Sequence, residues 1–530
     1  MSTQLKFWVC FLCVLSLLLG SGGFPASSDS MLPENKVPAS VESKALRLMD
    51  GLKKGGFEVS QGYFRLYTND DCPYSFAEMG TCYGNNPAAP YVTFSVPPWP
   101  KEFVDPATDL AFGPNKEGYS TLYRLDPREA IVILGVLPPP AAYFGLQTYL
   151  FTNQDRFDTK SVPYRFFANF FPNVLDTFFK LVPQNHRRVV NFASLSNSIN
   201  NVVIERQSES AFGQERVFIV TPDQFMDKTV RKALAKISVE DKDIFTEPIP
   251  GNMNLGLNKP SDDFLTLIRY AMPEDGGDDP DDPSTIWRND LPLVVFRIRD
   301  TRPGRQAEPY LPVVLETRTA SNELYLKPDL SSLVRAVSER WGQPCSDAEC
   351  TNNTDEFLQV HLPPTNMVGP DCTEIGMNCL GDTEDSNFQI TGDLVLDNDV
   401  VYAVASTLGT QTDNATYVGL GLMATMRQFS FANLSDQDLK DTASAYGAQV
   451  NNTDKFFLYY FARDCSDLVG LTDGYCLSIS EETLPPCNDP TSKTCDNLKF
   501  SMRDYIRPNT QRGPAAILKL PSVVITLKKK

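Results

Sequence analysis

Ten of the twelve cysteines fall into five close couples, and this spacing constrains the fold more than any other feature of the chain. The couples are Cys72 with Cys82, Cys345 with Cys350, Cys372 with Cys379, Cys465 with Cys476, and Cys487 with Cys495. Pairing within each couple closes a short loop, which stabilises a fold at the low end of roughly 2–4 kcal/mol per disulfide. Crossed pairings among the last four cysteines remain open. Because short loops fix only local turns, the hydrophobic core must supply most of the stability.

Residues 1–23 have the layout of a secretory signal peptide, with an apolar stretch from Phe7 to Leu19 followed by small residues. The stretch is shorter than the roughly 20 residues that a spanning helix needs, although an uncleaved anchor is the alternative. Cleavage after it would remove Cys10 and Cys13 and leave ten cysteines in an oxidising compartment. We therefore expect a secretory-pathway protein, luminal or extracellular.

The chain is acidic, with 66 Asp and Glu against 48 Lys and Arg and a formal net charge of -18. This charge disfavours nucleic acid as a partner, since phosphate binding needs clustered cations, and it disfavours anionic membrane surfaces in the same way. No segment after the signal peptide is apolar enough for a membrane span. No phosphate-binding loop or dinucleotide fingerprint is present, so no cofactor is predicted. With only His186 and His361, no metal site is predicted.

The pattern of elements predicts an α+β fold with mixed, largely antiparallel sheets and packed helices. We predict two regions, 40–342 and 343–530, because the second contains eight of the ten cysteines and all four glycosylation acceptors. The acceptors are Asn352, Asn414, Asn433 and Asn451, each followed two residues later by Thr or Ser. Similar elements recur in both regions, but no clean internal sequence repeat is apparent.

Strand and helix patterns give specific expectations. Ala130–Leu137 and Tyr143–Thr152 are predicted to be neighbouring antiparallel strands, and Val400–Ser406 is predicted to pair with Tyr417–Met423. A further strand is expected near Pro312–Thr317. A helix is expected after Thr221, a strand followed by a helix between Glu323 and Trp341, and a helix from Ser435 to Tyr446.

Three segments resemble a family of uncharacterised secreted plant proteins. They are Phe192–Asn201 (FASLSNSINN), Arg340–Cys345 (RWGQPC) and Val401–Gly421 (VYAVASTLGT and NATYVGLG). The resemblance spans most of the chain after the signal peptide. The family has no established activity, so the resemblance implies only a plant location: the apoplast, or an endomembrane compartment such as the endoplasmic reticulum or vacuole.

A histidine-dependent nucleophile has few candidates in this chain. His186 is the candidate base, and Ser194 or Ser196 in the polar run Ser194–Asn201 is the candidate nucleophile. The same run has the composition of a capped turn, and His186 beside two arginines is equally typical of a solvated loop. His361, between apolar neighbours, is predicted to be structural. No G-x-S-x-G elbow is present.

Carboxylate chemistry needs no histidine, because two acids at a set separation are enough for glycoside hydrolysis. The candidates are Asp70 and Asp71 beside Cys72, and Asp382, Glu384 and Asp385 beside Cys379. Asp382 is the catalytic candidate of this group, since a disulfide loop can hold an acid in place. Acidic loops are also common on surfaces.

The aromatic-rich segments Phe166–Phe171 and Phe456–Phe461 are predicted to lie in the core; an exposed one would mark a binding surface. Two functions are consistent with the sequence. One is a metal- and nucleotide-independent enzyme acting on a small organic or glycan substrate. The alternative is a non-enzymatic extracellular binding or structural protein.

Overall fold

A computed structural model of the chain describes residues 35–83, 89–154, 156–277, 279–347, 350–486 and 496–529. The predicted signal peptide lies outside the described residues. The helices are α1 (Ala39–Lys54), α2 (Cys72–Met79), α3 (Val162–Phe170), α4 (Leu175–Phe178), α5 (Asn201–Ser208), α6 (Gln224–Ala235), α7 (Pro283–Asp290), α8 (Lys327–Arg340), α9 (Gly369–Ile375), α10 (Asp436–Leu439) and α11 (Val469–Thr472).

The strands form four sheets, which confirms the predicted α+β class. They are β1 (Glu58–Gln61), β2 (Tyr63–Tyr67), β3 (Tyr91–Ser95), β4 (Glu129–Val136), β5 (Ala141–Asn153), β6 (Leu181–Val182), β7 (Asn185–Ser194), β8 (Ile199–Asn200), β9 (Glu215–Thr221), β10 (Ile244–Pro248), β11 (Asp263–Pro273), β12 (Leu293–Arg299), β13 (Thr354–Glu356), β14 (Leu358–Gln359), β15 (Ser386–Ile390), β16 (Val400–Thr407), β17 (Tyr417–Ala424), β18 (Phe429–Ser435), β19 (Phe456–Ala462), β20 (Cys476–Ser478), β21 (Leu498–Tyr505) and β22 (Val523–Lys528).

The four sheets group by chain position into two pairs. Sheet 1 has the order β1-β12-β4-β9-β10 and sheet 2 the order β2-β3-β11-β5-β7-β6, with β8 added beside β5. Sheet 3 has the order β13-β22-β16-β19-β20 and sheet 4 the order β14-β15-β21-β17-β18. Among the described strands, only the edge pairs β9/β10 and β19/β20 are parallel.

The second pair of sheets repeats the topology of the first. The strands of sheet 3 correspond in order to those of sheet 1, so that β13, β22, β16, β19 and β20 match β1, β12, β4, β9 and β10, and the parallel pair lies at the same edge. In the same way, β14, β15, β21, β17 and β18 of sheet 4 match β2, β3, β11, β5 and β7 of sheet 2. The helices follow the same order, because α8, α9, α10 and α11 fall between the same strands as α1, α2, α5 and α6. We therefore divide the fold into a first repeat, residues 39–299, and a second repeat, residues 327–528.

Strand register supports the duplication at the level of single residues. Gly145 of β5 pairs with Arg269 of β11, and Gly419 of β17 pairs with Arg503 of β21. Both glycines stand in a Tyr-x-Gly-Leu sequence. Because pairing partners and sequence agree, Arg269 and Arg503 are equivalent positions of the two repeats.

Each repeat has three layers. In the first repeat a hydrophobic core fills the space between sheets 1 and 2, and α1 and α6 cover the outer face of sheet 1. In the second repeat the core lies between sheets 3 and 4, and α8 covers the outer face of sheet 3. Helix α8 lies before residue 343 but packs in the second repeat; the predicted boundary at 342/343 stays a prediction.

The two repeats meet through equivalent surfaces of sheets 2 and 4, and residues Asn35–Lys530 form one compact unit. The contact cluster contains Tyr143 and Ala271 from the first repeat and their counterparts Tyr417 and Tyr505 from the second. The rings of Tyr143 and Tyr505 lie 4.7 Å apart. An interface built from the same patch on both sides is the arrangement of a twofold-symmetric dimer.

Two predicted strand pairings were wrong, and they were wrong at equivalent places. β4 and β5 belong to different sheets, and so do β16 and β17. In each repeat the connection crosses from one layer of the sandwich to the other, so strong strand patterns on both sides do not imply a hairpin. Pro138–Pro140 cannot continue a ladder, which fits this crossing.

Other local predictions were also corrected. The segment 312–317, predicted as a strand, has no regular secondary structure and lies between the repeats. The helix predicted after Thr221 starts at Gln224, with the side chain of Asp223 accepting from the Phe225 N–H as its cap. The helix predicted from Ser435 ends early, at Leu439. Phe456–Phe461 lies in the core as predicted, but of Phe166–Phe171 only Phe167 is buried.

Four of the five predicted disulfides are present in the structure. They are Cys72–Cys82, Cys345–Cys350, Cys372–Cys379 and Cys465–Cys476. The Cys72–Cys82 bond follows β2 and the Cys372–Cys379 bond follows β14, so these two bonds are equivalent in the repeats.

The fifth predicted disulfide is not among the bonds of the described chain. Its two cysteines, Cys487 and Cys495, both lie outside the described residues, so a bond between Cys487 and Cys495 stays a prediction. Crossed pairing of either one with Cys465 or Cys476 does not occur, because those two cysteines are bonded to each other.

Membrane-spanning helices were not predicted after the signal peptide. In the part of the chain that the structure describes, no helix has the length and apolarity needed to cross a bilayer.

Candidate functional site

A cleft lies where sheets 2 and 4 meet, between the two repeats. It contains two adjoining cavities of about 30 Å³ and 50 Å³, which share Tyr91, Leu380, Phe388 and Arg503 in their walls. Arg269, His361, Asp382 and Tyr505 also line the smaller cavity. Pockets for drug-sized ligands measure roughly 300–1,000 Å³. The cleft therefore has room for a ligand of only a few non-hydrogen atoms.

Each repeat contributes an arginine and an aromatic ring to this cleft. The Arg269 guanidinium lies 5.0 Å from the ring centre of Tyr91, and the Arg503 guanidinium lies 4.9 Å from that of Phe388. Register along β3 and β15 makes Tyr91 and Phe388 equivalent residues. The duplication has thus brought two copies of one cation–aromatic pair to a common cavity.

The two arginines have different partners. Arg269 is buried; it donates to the Tyr149 hydroxyl and, at 3.2 Å, to the Gly381 carbonyl oxygen. Arg503 is half-buried, and its guanidinium makes no hydrogen bond or ion pair with a described residue. Neither arginine forms an ion pair with a carboxylate in the described part of the chain. Two guanidinium groups without an ion-pair partner favour an anion between them.

Two tyrosine hydroxyls complete the polar wall. Tyr91 and Tyr505 are both 6 % exposed and line the cavity, and neither hydroxyl has a hydrogen-bond partner among the described residues. Buried polar groups in folded proteins are almost always hydrogen-bonded to protein, water or ligand. These hydroxyls are therefore available to a molecule that occupies the cleft.

Asp382 is held at the edge of the cleft by Ser194. The Ser194 N–H donates to Asp382 Oδ1 at 2.8 Å, and the Ser194 hydroxyl donates to Oδ2 at 2.7 Å. Burial, followed by the negative charge of Glu384, raises the pKa of the Asp382 carboxyl to about 7, although the bonds from Ser194 lower it. Asp382 can therefore gain or lose a proton near neutral pH.

Glu384 is paired with two arginines. Arg512 donates to Glu384 Oε2 at 2.5 Å and Arg318 at 3.3 Å. The Ser194 hydroxyl lies 3.3 Å from Glu384 Oε1, so one serine bridges both acids. Glu384 is fully buried, and its bonds link β7 of the first repeat with the second repeat. We assign it a structural role at the repeat interface.

Asp385, the third acid of this loop, also joins the repeats. Its Oδ2 accepts from the Tyr143 hydroxyl at 3.0 Å and from the Asn200 amide at 3.2 Å. Burial raises the pKa of Asp385. The acidic loop, for which a surface position was the alternative reading, is therefore largely an interface network, and of its three acids only Asp382 lines the cleft.

The structure brings together some of the predicted catalytic residues and separates others. Ser194 and Asp382 are hydrogen-bonded, but Ser194 is fully buried beneath the cleft. His186 is exposed at the start of β7, eight residues from Ser194, which at strand rise is about 25 Å away. Ser196 is buried inside the first repeat, where its hydroxyl donates to Glu247 at 3.0 Å. A Ser–His pair is therefore not formed.

His361 lines the smaller cavity, and its Nδ1 accepts from the Phe388 N–H at 3.3 Å. Burial and the nearby cations Arg318 and Arg512 lower the pKa of His361 well below its usual value. It is therefore neutral at physiological pH. The predicted structural role fits this contact.

The remaining candidates lie apart from the cleft. Asp70 is exposed, and Asp71 forms a buried ion pair with Arg65 at 3.1 Å, a structural contact of the first repeat. Among the described residues, no group of three or more His, Cys, Asp or Glu side chains could hold a metal ion.

The predicted glycosylation acceptors differ in accessibility. Asn352 and Asn451 are exposed and Asn433 is half-buried. Asn414 is fully buried, and its amide donates to the Ser321 carbonyl at 3.0 Å and to Glu323 at 2.7 Å. A glycan on this nitrogen would break both bonds, so the predicted acceptor at Asn414 does not fit the folded chain.

Comparison with known proteins adds no functional information. No family model matches the chain, and no curated protein matches it. The chain is similar to the VPA0106 protein from Vibrio parahaemolyticus, with 10% identity and a TM-score of 0.31 over 77% of this chain and 88% of that one. It is also similar to a putative uncharacterized protein from Burkholderia cenocepacia, with 8% identity and a TM-score of 0.36 over 92% and 87%.

Sequence reasoning missed Arg269, Arg503 and Tyr91. A signal for the two arginines exists, because each pairs with the glycine of a Tyr-x-Gly-Leu sequence. That tetrad, at 143–146 and 417–420, is short and lies in otherwise different surroundings. Alignment of the two repeats on it would have found both arginines.

Proposed function

We propose that this chain is a secretory-pathway binding protein that holds a small organic anion in the cleft between its two repeats. The observation that carries the proposal is the pair of equivalent arginines, Arg269 and Arg503, lining one cavity without an ion-pair partner among the described residues. Four disulfides suit the oxidising compartment that the first 23 residues predict.

A carboxylate is the anion that best fits the wall. Guanidinium groups donate two parallel N–H bonds to a carboxylate, and the hydroxyls of Tyr91 and Tyr505 can donate further ones. The cavities of about 30 and 50 Å³ favour a short acid and disfavour a glycan. At or below neutral pH, a protonated Asp382 adds a donor without adding a negative charge.

One observation favours an enzyme as the second candidate. Asp382 has a pKa of about 7 and borders the cleft, which are the properties of a general acid–base group. Its partner Ser194 is buried and orients the carboxyl, so in this candidate Ser194 is a positioning residue and Asp382 exchanges the proton.

Calorimetric titration of the mature protein with formate, acetate, oxalate and malonate at pH 6 tests the binding function. We expect at least one of these acids to bind, and to raise the melting temperature beyond a sodium chloride control of equal ionic strength. Arg503→Met should abolish that binding with little loss of stability, since the Arg503 guanidinium makes no ion pair with a described residue. Arg47→Met, which changes an exposed arginine of α1, is the matched control.

The proposal fails if none of the four acids binds, or if Arg503→Met binds them as the wild type does. A turnover of the bound acid that Asp382→Asn removes would select the enzyme candidate. Binding without turnover would select the binding protein.

A further inference from the structure

Helix α3 and the residue after it form an aromatic patch, defined by the exposed Phe170 and Phe171 and by Phe166, which is half-buried and also packs against the core. Phe170 is 70% exposed and Phe171 is 45% exposed. The ring of Phe166 lies 5.6 Å from that of Phe170 and 5.4 Å from that of Phe171. Single exposed apolar side chains are common on folded proteins, but several that lie side by side usually mark an interaction surface.

The spacing along α3 puts apolar and polar groups together on one outward face. The positions i, i+3, i+4, i+7 and i+8, which share a helix face, are Val162, Arg165, Phe166, Asn169 and Phe170. Three of these five side chains are large and apolar. In a surface helix such side chains usually pack on the core, but Val162 and Phe170 are exposed here. The helix is anchored instead by the buried Phe167, whose ring stacks on Phe178 at 4.0 Å.

The patch lies in an insertion of the first repeat. Residues 154–184, which contain α3, α4 and β6, connect β5 with β7. The strands equivalent to β5 and β7 in the second repeat are β17 and β18, and these are joined by residues 425–428 alone. Because the second repeat has no equivalent of α3, the duplicated fold does not need this helix. The outer face of α3 is therefore not needed to stabilise the sheets.

The insertion lacks the strong negative charge of the whole chain. Residues 154–184 contain four Lys and Arg and three Asp, in a protein whose net charge is -18. Lys160 and Arg165 are exposed and form no ion pair with a described residue. The net charge of the whole chain does not by itself decide what an anionic surface meets at this helix, because charges more than about 10 Å away are screened.

We propose that α3 docks onto an anionic lipid surface. The aromatic patch enters the headgroup region while Arg165 and Lys160 contact lipid phosphates, as in interfacial amphipathic helices. The nine residues of α3 give weak, reversible attachment rather than insertion across the bilayer. The acidic remainder of the molecule is repelled by the same surface, so docking is restricted to this side.

Co-sedimentation of the mature protein with vesicles tests this proposal. Vesicles of phosphatidylcholine with about 30% phosphatidylserine should bind the protein, and pure phosphatidylcholine should bind it far less. The double variant Phe170→Ser/Phe171→Ser, and separately Arg165→Glu, should each weaken binding by about tenfold. The double variant Leu311→Ser/Val314→Ser, which changes two exposed apolar residues elsewhere, is the matched control and should bind normally.

The variant residues are exposed, so the melting temperatures of the variants should stay close to that of the wild type. The proposal is overturned if the anionic vesicles bind no protein, or if the patch variant binds as well as the control. It is also overturned if Arg165→Glu leaves binding unchanged. If α3 binds only a glycan or a protein partner, the anionic vesicles will bind no protein, which is the first of these results.

Discussion

Arg269 and Arg503 occupy the same position in their repeats but have different neighbours. Arg269 donates hydrogen bonds to the Tyr149 hydroxyl and the Gly381 carbonyl oxygen, whereas the Arg503 guanidinium lies over the ring of Phe388. A duplicated residue can diverge in this way, since one copy supports the fold while the other stays available. We assign the anion-binding role chiefly to Arg503, with Arg269 supplying a fixed positive charge.

The proton on Asp382 predicts a pH dependence for ligand binding. Below about pH 7 the carboxyl is protonated and neutral, and above it a negative charge faces the bound anion. Affinity for the acid found by titration should therefore fall as the pH rises through about 7. Asp382→Asn, which stays neutral, should make the affinity constant between about pH 5.5 and about pH 8.5, as measured by calorimetry. A wild type with constant affinity over this range would contradict the assignment.

The same pKa shift links Asp382 to stability. A raised pKa in the folded state means that the unfolded chain releases the proton first as the pH increases. The Asp382 contribution to the free energy of unfolding should therefore decline from about pH 4 to about pH 7 and stay level above. Urea titrations should find a smaller decline over this window in Asp382→Asn than in the wild type.

At the level of elements, the docking of α9 on β7 decides whether the cleft forms. Gly369 begins α9, and a Cβ on it would overlap the carbonyl oxygen and the hydroxyl of Ser194. Ser194 in turn orients Asp382. Because the backbone of Ser194 is part of this contact, no side-chain rotation can relieve the overlap.

Gly369→Ala should therefore lower the free energy of unfolding by about 3 kcal/mol, the upper range for overpacking. Gly51→Ala is the matched control, because Gly51 lies in α1 with no atom within 4 Å of an added Cβ. That change should stabilise the protein by about 0.5–1 kcal/mol through helix propensity. Equal effects of the two substitutions in chemical denaturation would refute the docking argument.

Individual elements could be predicted from the sequence more readily than their partners. Strand patterns located β4, β5, β16 and β17 to within a few residues, because buried strands are strongly apolar. Their assignment to sheets failed, because a crossing between layers and a hairpin leave the same local pattern. The cleft depends on the packing of sheet 2 against sheet 4, whose strands are distant in sequence, so the repeated Tyr-x-Gly-Leu tetrad was the signal that could point to Arg503.

At the scale of the whole molecule, the two repeats exchange contacts reciprocally. The Cys379 N–H donates to the Asn191 carbonyl of the first repeat at 2.7 Å, and the Cys82 N–H donates to the Arg427 carbonyl of the second at 2.6 Å. Both cysteines end equivalent disulfide loops. Each repeat thus holds the loop of the other, and neither surface is complete alone.

This exchange predicts that the repeats unfold together. Chains of this size usually unfold domain by domain. Here the shared network of Asp385, Tyr143 and Asn200 would be broken if either repeat opened. Scanning calorimetry of the mature protein should give one endotherm with calorimetric and van't Hoff enthalpies in agreement. Two resolved transitions would mean that the repeats are independent.

The central claim is that an anion binds between the equivalent arginines of the two repeats, and anomalous diffraction from a bromide-soaked crystal tests it most directly. We predict a bromide peak within about 4 Å of a guanidinium nitrogen of both Arg269 and Arg503, and no such peak in an Arg503→Met crystal. Bromide bound only at surface lysines and arginines, with the cleft empty, would contradict the account.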